Sequence, residues 1–563
     1  MYQARPSSTR STLPVRERGL PGELHIIQGP HLVDRTIPIM AVESLPVRYV
    51  LNEREYAILR KYLSSASGSQ GGSTDVPGSG GPYRKNDRNA AAFRSASRAF
   101  VLSLGSLKAA EGVVARLTTR KSQTAARARS PLVASSTKVA LSLSTLLFFH
   151  ATLYRLFYRL RLQLLHEKVR HIQERYPKIY AALTSKLAPA IGASLSGFAL
   201  AICPADQLRV TVAIYIACRA LEVGYKAIEN TAFVKNNKPA WLGSWMLFAV
   251  SQGQLLHAFV FDRDCFPEAY GSFILGYTPE YIQRRPPNLS SKVRWPKWNE
   301  IVDALAQMAR MRWPPFVSPI LHPGASHTLP AGINSAISPI TSRAHPATQN
   351  LSCALIHPSD PSCFLAFLRH ILISFPQVAR FYALYYGAFS TLRLKKVMKT
   401  PLASLSRLSA SVLRSSFSIT GSIGMAWASI CLFQIILPRA FIPKFRFFFG
   451  GLLGGLFSLA DLTPSGHLTA LYTARTSVDS LWKVGVKHRW WKGIRAGDVW
   501  LFVAALALEN VVYDFGKDTP ASEDQAMTMV KVLRGEIELG LPKREQQTSE
   551  GTSTDDLEGT KVQ

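Results

Sequence analysis

Acidic side chains are scarce in this chain. Its 563 residues hold 36 Asp and Glu against 66 Lys and Arg, a formal net charge of +30. On a soluble protein that excess would suggest nucleic acid. No nucleic-acid-binding motif has the required spacing, and much of the positive charge sits beside apolar segments, so nucleic acid is not expected as a partner. Cysteine is also sparse: Cys203, Cys218, Cys265, Cys353, Cys363 and Cys431 are the whole set. Three of them lie in apolar helical stretches, which excludes a secreted disulfide framework. Catalytic signatures are missing too. There is no nucleophile elbow, P-loop, dinucleotide fingerprint or kinase set. No catalytic residue, cofactor-binding residue, cofactor or metal site is therefore expected, and the chain does not read as an enzyme. The first twenty residues do not read as a secretory signal.

What is abundant is uncharged apolar sequence in clumps. Leu187–Ala205, Trp241–Phe261 and Ser415–Pro438 contain no Asp, Glu, Lys or Arg. A bilayer core requires about 20 such residues in a helix. Mean hydropathy is only +0.06 because long polar segments dilute these runs. A fourth apolar stretch, between Lys138 and Arg155, is short for a span.

A pattern also occurs twice. Residues 214–226 read IYIACRALEVGYK and 471–483 read LYTARTSVDSLWK, at an offset of 257. Tyr215 falls on Tyr472, Ala217 on Ala474, Glu222 on Asp479, Lys226 on Lys483 and, outside the pattern, Gly197 on Gly454. Each copy follows a small-residue apolar segment and precedes a Trp-containing one. The expected fold is all-α: a polytopic membrane protein with two related helical-bundle repeats of about four helices each.

The expected organisation follows from these features. Residues 1–82 form a disordered tail and 83–138 a basic amphipathic segment that can lie on anionic lipid. Residues 139–261 are the first membrane repeat. Residues 262–362 are a Pro-rich linker region with a Cys/His motif, and 363–390 a kinked or re-entrant apolar helix around Pro376. Residues 415–514 are the second repeat, and 515–563 a disordered polar tail. If 363–389 crosses once, the repeats are inverted; if it turns back at Pro376, they are parallel.

Two residue sets stand out. Gly450, Gly451, Gly454 and Gly455 make two overlapping G-x-x-x-G pairs, and Gly197 matches Gly454. Small residues at this spacing let helix backbones approach closely, so Gly454→Leu is expected to disturb assembly more than Gly421→Leu. On the duplicated helices, Glu222 lies three residues after Arg219 and four before Lys226. Asp479 lies four after Arg475 and four before Lys483. These spacings share a helical face, and ionisable groups at membrane depth turn toward a bundle interior. Arg219, Glu222, Arg475 and Asp479 are thus the expected polar lining, with both carboxylates facing the other half of the protein or a shared cavity. Cys353, His357, Cys363 and His370 are zinc-ligand types, but C-x3-H-x5-C-x6-H is not a familiar finger and His370 falls in an apolar run.

The paired motif Tyr-x-Ala-x3-[Leu/Val]-[Glu/Asp]-x2-[Tyr/Trp], at Tyr215–Tyr225 and Tyr472–Trp482, resembles the transmembrane protein 135 family and its fungal members. So do the Gly-rich helix before the second copy and His357-Pro358-x4-Cys363 running into an apolar helix. The resemblance spans roughly 187–514. That family's repeats are similar to those of the mitochondrial inner-membrane translocase subunits and a small peroxisomal membrane protein. The resemblance implies an integral protein of the peroxisomal membrane, with the mitochondrial membrane as alternative, that supports lipid or fatty-acid handling and organelle homeostasis. Its expected partners are membrane lipids, together with a second copy or another organelle-membrane protein. The rival expectation is a structural or tethering protein acting through its basic N-terminal segment.

Overall fold

The computed structural model describes residues 88–119, 131–165, 170–229, 243–287, 289–290, 292–322, 329–391, 394–516 and 525–536, with isolated positions at 49, 50, 55, 58, 62, 237 and 239. Most of the expected tails 1–82 and 515–563 lies outside these. The chain divides into two units, Met1–Arg84 and Lys85–Gln563. Described positions of the first are Tyr49, Val50, Glu55, Ile58 and Tyr62. All helices named below belong to the second. Among the described residues the fold is all-helical, with no strand beyond an isolated bridge between Pro315 and Asn350.

Helix α1 (Arg88–Thr119) packs along α2 (Pro131–Leu164). Its buried residues include Ala92, Ala96 and Ala99, spaced for close helix contact. Helix α3 (Pro177–Thr184) meets the next helical segment at a bend of 86°. That segment is α4 (Ala188–Ser194), which tightens into a 3-10 helix over Leu195–Ile202. Helix α5 (Gln207–Glu229) starts where Asp206 accepts the Arg209 backbone N–H at 3.3 Å, a side-chain cap for an otherwise orphaned donor. Helix α6 (Ser244–Phe261) follows.

The later half has the same order. Long helix α11 (Pro401–Ile436) precedes α12 (Arg446–Gly455), which also tightens into a 3-10 helix, Leu456–Ala460. Asp461 then takes hydrogen bonds from the Thr463 hydroxyl (2.5 Å) and backbone N–H (3.4 Å). Pro464 opens α13 (Pro464–Lys487), where its fixed φ suits a first turn. Helix α14 (Gly497–Gly516) completes the set. Gln207 and Pro464, the first residues of α5 and α13, are 257 apart, the offset of the sequence match.

Between the halves, residues expected as a linker carry α7 (Glu268–Gly276), α8 (Trp298–Arg310) and α9 (Leu351–Ile356). This region holds a large apolar core. Tyr281, Ile301, Leu305, Met308, Ile337, Leu355 and Ile356 pack against Ile423, Trp427 and Ile430 of α11 and Phe447 of α12. Helix α10 (Cys363–Thr391) is one helix through Pro376 and packs on α11, so the hairpin option for this segment does not occur. The expected polar tail is helical over α15 (Gln525–Arg534), which docks on α2 and α14 through Val530, Leu533 and Arg534.

Among the described residues two helices, α11 and residues Ser136–Leu164 of α2, are long and apolar enough to cross a membrane; the bent α3–α4 pair makes up to three. Basic residues prolong α2 well beyond the short apolar stretch. Trp241–Phe261 yields only the 18-residue α6, whose Gln252, Gln254 and His257 reduce its apolar character.

Candidate functional site

Helices α5 and α13 meet antiparallel, each start against the other's end. The His467 imidazole Nε2 lies 3.1 Å from Glu222 Oε1. At the far end the Gln207 side-chain amide donates to Asp479 Oδ2 at 3.1 Å, and Lys483 Nζ donates to Gln207 Oε1 at 3.0 Å. The cations expected beside each carboxylate are largely in place. Glu222 is paired with Arg219 (2.6 Å) and Lys226 (3.1 Å), and Asp479 with Lys483 (2.8 Å). Arg475 departs from the pattern. Its guanidinium lies 4.0 Å from the Tyr215 ring centroid, a cation–π contact across the same seam.

Both carboxylates therefore face the other half of the chain, but they share no cavity. Gln207 and Glu222 are fifteen residues apart on α5, or about 22 Å of helix. Glu222 and Asp479 thus occupy opposite ends of one seam. Sequence reasoning missed His467 and Gln207, which complete these contacts; both sit in the first turns of the duplicated helices, where facing ends must meet if the helices are antiparallel. It also missed Glu509 on α14, which is buried with neither carboxylate oxygen hydrogen-bonded among the described residues.

The fourth helix of each set packs on the other set. Helix α6 lies on α12 and α13, while α14 lies on α4 and α5. Gln254 of α6 accepts from the Ser477 hydroxyl (2.9 Å) and donates to Ser480 (3.2 Å), which ties it to α13. Arg209 of α5 holds Asp498 of α14 with two hydrogen bonds, 2.5 and 3.2 Å. The glycines make these approaches. A Cβ on Gly451 or Gly455 would collide with the α6 backbone at Gln252 or Ala249, whereas Gly450 and Gly454 face Ser429 and Ser422 of α11. The two overlapping pairs thus serve two different neighbours. A Cβ on Gly197 would come within 2.9 Å of a Val503 methyl on α14.

A second constellation lies where the Pro-rich layer meets α11. Cys353 on α9, His357 at its C-terminal end, Cys363 at the start of α10 and Cys431 on α11 place their ligand atoms within 4.8 Å of one another. Burial works against protonation of His357, but the neighbouring Cys353 and Cys363 sulfurs outweigh it and push the His357 pKa up to about 10. His370 is elsewhere: its ring packs at a tilt of 40° against Tyr281 and contacts the Ser374 hydroxyl. Three of the four residues singled out by spacing come together. The fourth place is taken by Cys431, which is distant in sequence and was readable only as a buried thiol in an apolar helix. No protein-family model, no curated protein and no solved structure matches the chain.

Proposed function

We propose that this chain is a multi-pass organelle-membrane protein of the transmembrane protein 135 type that supports lipid or fatty-acid handling. In this reading it is built from two inverted four-helix repeats, α2–α4–α5–α6 and α11–α12–α13–α14, which exchange their fourth helices. The seam between α5 and α13 is the line along which the halves move to pass or hold a lipid. The observation that carries the reading is the reciprocal pairing of His467 with Glu222 and Gln207 with Asp479. Equivalent helices that meet head to tail are related by a two-fold axis across them, the arrangement of repeats that enclose a midplane site. Charged groups at such a seam are costly unless they do something there.

The peroxisomal membrane is the proposed location. The test joins fractionation, microscopy and complementation. The protein should resist alkaline carbonate extraction and coincide with a peroxisomal marker. Glu222→Gln and Asp479→Asn should insert normally yet fail to restore lipid handling in a deletion strain. Recovery in the carbonate supernatant would remove the membrane reading. Full rescue by the double variant at normal abundance would replace the seam with the tethering role of segment 83–138.

A further inference from the structure

We propose that Cys353, His357, Cys363 and Cys431 form a structural zinc site that fastens the Pro-rich layer to helix α11. The inference stands apart from the lipid-handling reading. It rests on the donor set, its dimensions, its burial and the imidazole's tautomer.

The donors are three thiol sulfurs and one imidazole nitrogen, mutually within 4.8 Å. Tetrahedral zinc with Zn–S near 2.3 Å and Zn–N near 2.0 Å separates its ligands by about 3.8 Å for sulfur pairs and about 3.5 Å for a sulfur–nitrogen pair. The Cys353 and Cys363 sulfurs are 3.8 Å apart, and His357 Nε2 is 3.3 Å from Cys431 Sγ. A disulfide would need about 2.05 Å between sulfurs, and all six cysteines are free.

The tautomer is fixed independently. His357 Nδ1–H donates to the Asp360 carbonyl at 2.8 Å. That bond keeps a proton on Nδ1 and aims Nε2 at the sulfurs, where a metal would displace the Nε2 proton, the outer-shell arrangement found behind metal-bound histidines. Three thiolates and an imidazole are soft to borderline ligands, which select zinc over magnesium or calcium. Cys353, His357 and Cys431 are at most 5% exposed and Cys363 is half-buried, and the four protein donors by themselves complete a tetrahedral set. Closed sites of this composition are structural rather than catalytic.

The placement gives the ion a task. Three ligands lie within the eleven residues 353–363, and the fourth belongs to α11, a candidate membrane span. Binding would lock α9 and the start of α10 onto α11, beside the core formed by Ile356, Trp427 and Ile430.

The test is the metal content of the full-length chain, purified in detergent from zinc-replete cells and measured by mass spectrometry. About one zinc per chain is expected. Cys431→Ser and Cys353→Ser should each reduce this at least tenfold, while His357→Cys, which keeps four ligands, and Cys218→Ser should retain it. Should the serine variants fail to accumulate, the wild type decides alone: an organomercurial should release its zinc in step with modification of three thiols. Wild-type protein with less than about a tenth of a zinc per chain, a Cys353–Cys363 disulfide in non-reducing peptide maps, or zinc retained by both serine variants would overturn the assignment.

Discussion

The His467 imidazole reaches the Glu222 carboxylate at 3.1 Å, joining the first turn of one duplicated helix to the last turns of the other. Glu222 is buried, with Arg219, Lys226 and His467 all converging on it. Removing its charge breaks the 2.6 Å ion pair with the better-buried Arg219, while half-exposed Lys226 is screened by water. Glu222→Gln should therefore lower stability in detergent by about 2 kcal/mol. Asp479→Asn should cost less. The two effects should add, because about 22 Å of helix separates the two ends. Chemical unfolding of both single variants and the double checks this; strong coupling would mean the carboxylates share one site.

The glycine face makes a sharper prediction. Gly455→Leu drives a side chain into the α6 backbone at Ala249, a neighbour that cannot swing away. Overpacking there should cost about 3 kcal/mol or give a heterogeneous particle on size exclusion. Gly421 is a poor control, since a Cβ there would strike the Phe457 ring. Gly387 is a good one: a Cβ on it meets nothing within 4 Å. Gly387→Leu should behave as wild type, and equal thermal stability of the 455 and 387 variants would contradict the packing.

Arg534 anchors the last helix. Its guanidinium is buried against Asp514 (2.6 Å), Asn510 and the Tyr154 ring. Arg534→Met removes the buried ion pair with Asp514 and the hydrogen bond to the Asn510 carbonyl, and should destabilise by about 3 kcal/mol. Limited proteolysis should then cut within 517–536 well before the remainder of the chain. Unchanged cleavage would mean α15 docks through Val530 and Leu533 alone.

These contacts show which features were readable. The helices α5 and α13 were legible because one pattern occurs twice at an offset of 257, which their first residues, Gln207 and Pro464, reproduce. The partners His467 and Gln207 were not, since pairing across 245 or more residues leaves no local trace. The Pro-rich region was misjudged because prolines masked α8, although Ile301, Val302, Leu305 and Met308 already form an apolar helical stripe. The basic character of 83–138 was legible, but the packing face that Ala92, Ala96 and Ala99 give α1 was not, because alanine carries little apolar signal. The Cys/His motif supplied three of its four members. Cys431 joins it only because α11 folds back beside α9, which spacing cannot reveal.

The antiparallel meeting of α5 and α13 is the central claim, and disulfide trapping in native membranes tests it most directly. In a chain carrying Cys218→Ser, Gln207→Cys/Lys483→Cys and Glu222→Cys/His467→Cys are each oxidised mildly. Both pairs should form intramolecular disulfides in high yield, while Gln207→Cys/His467→Cys, which joins the two helix starts, should form none. Efficient cross-linking of the two starts, with failure of the head-to-tail pairs, would make the helices parallel and contradict the inverted arrangement.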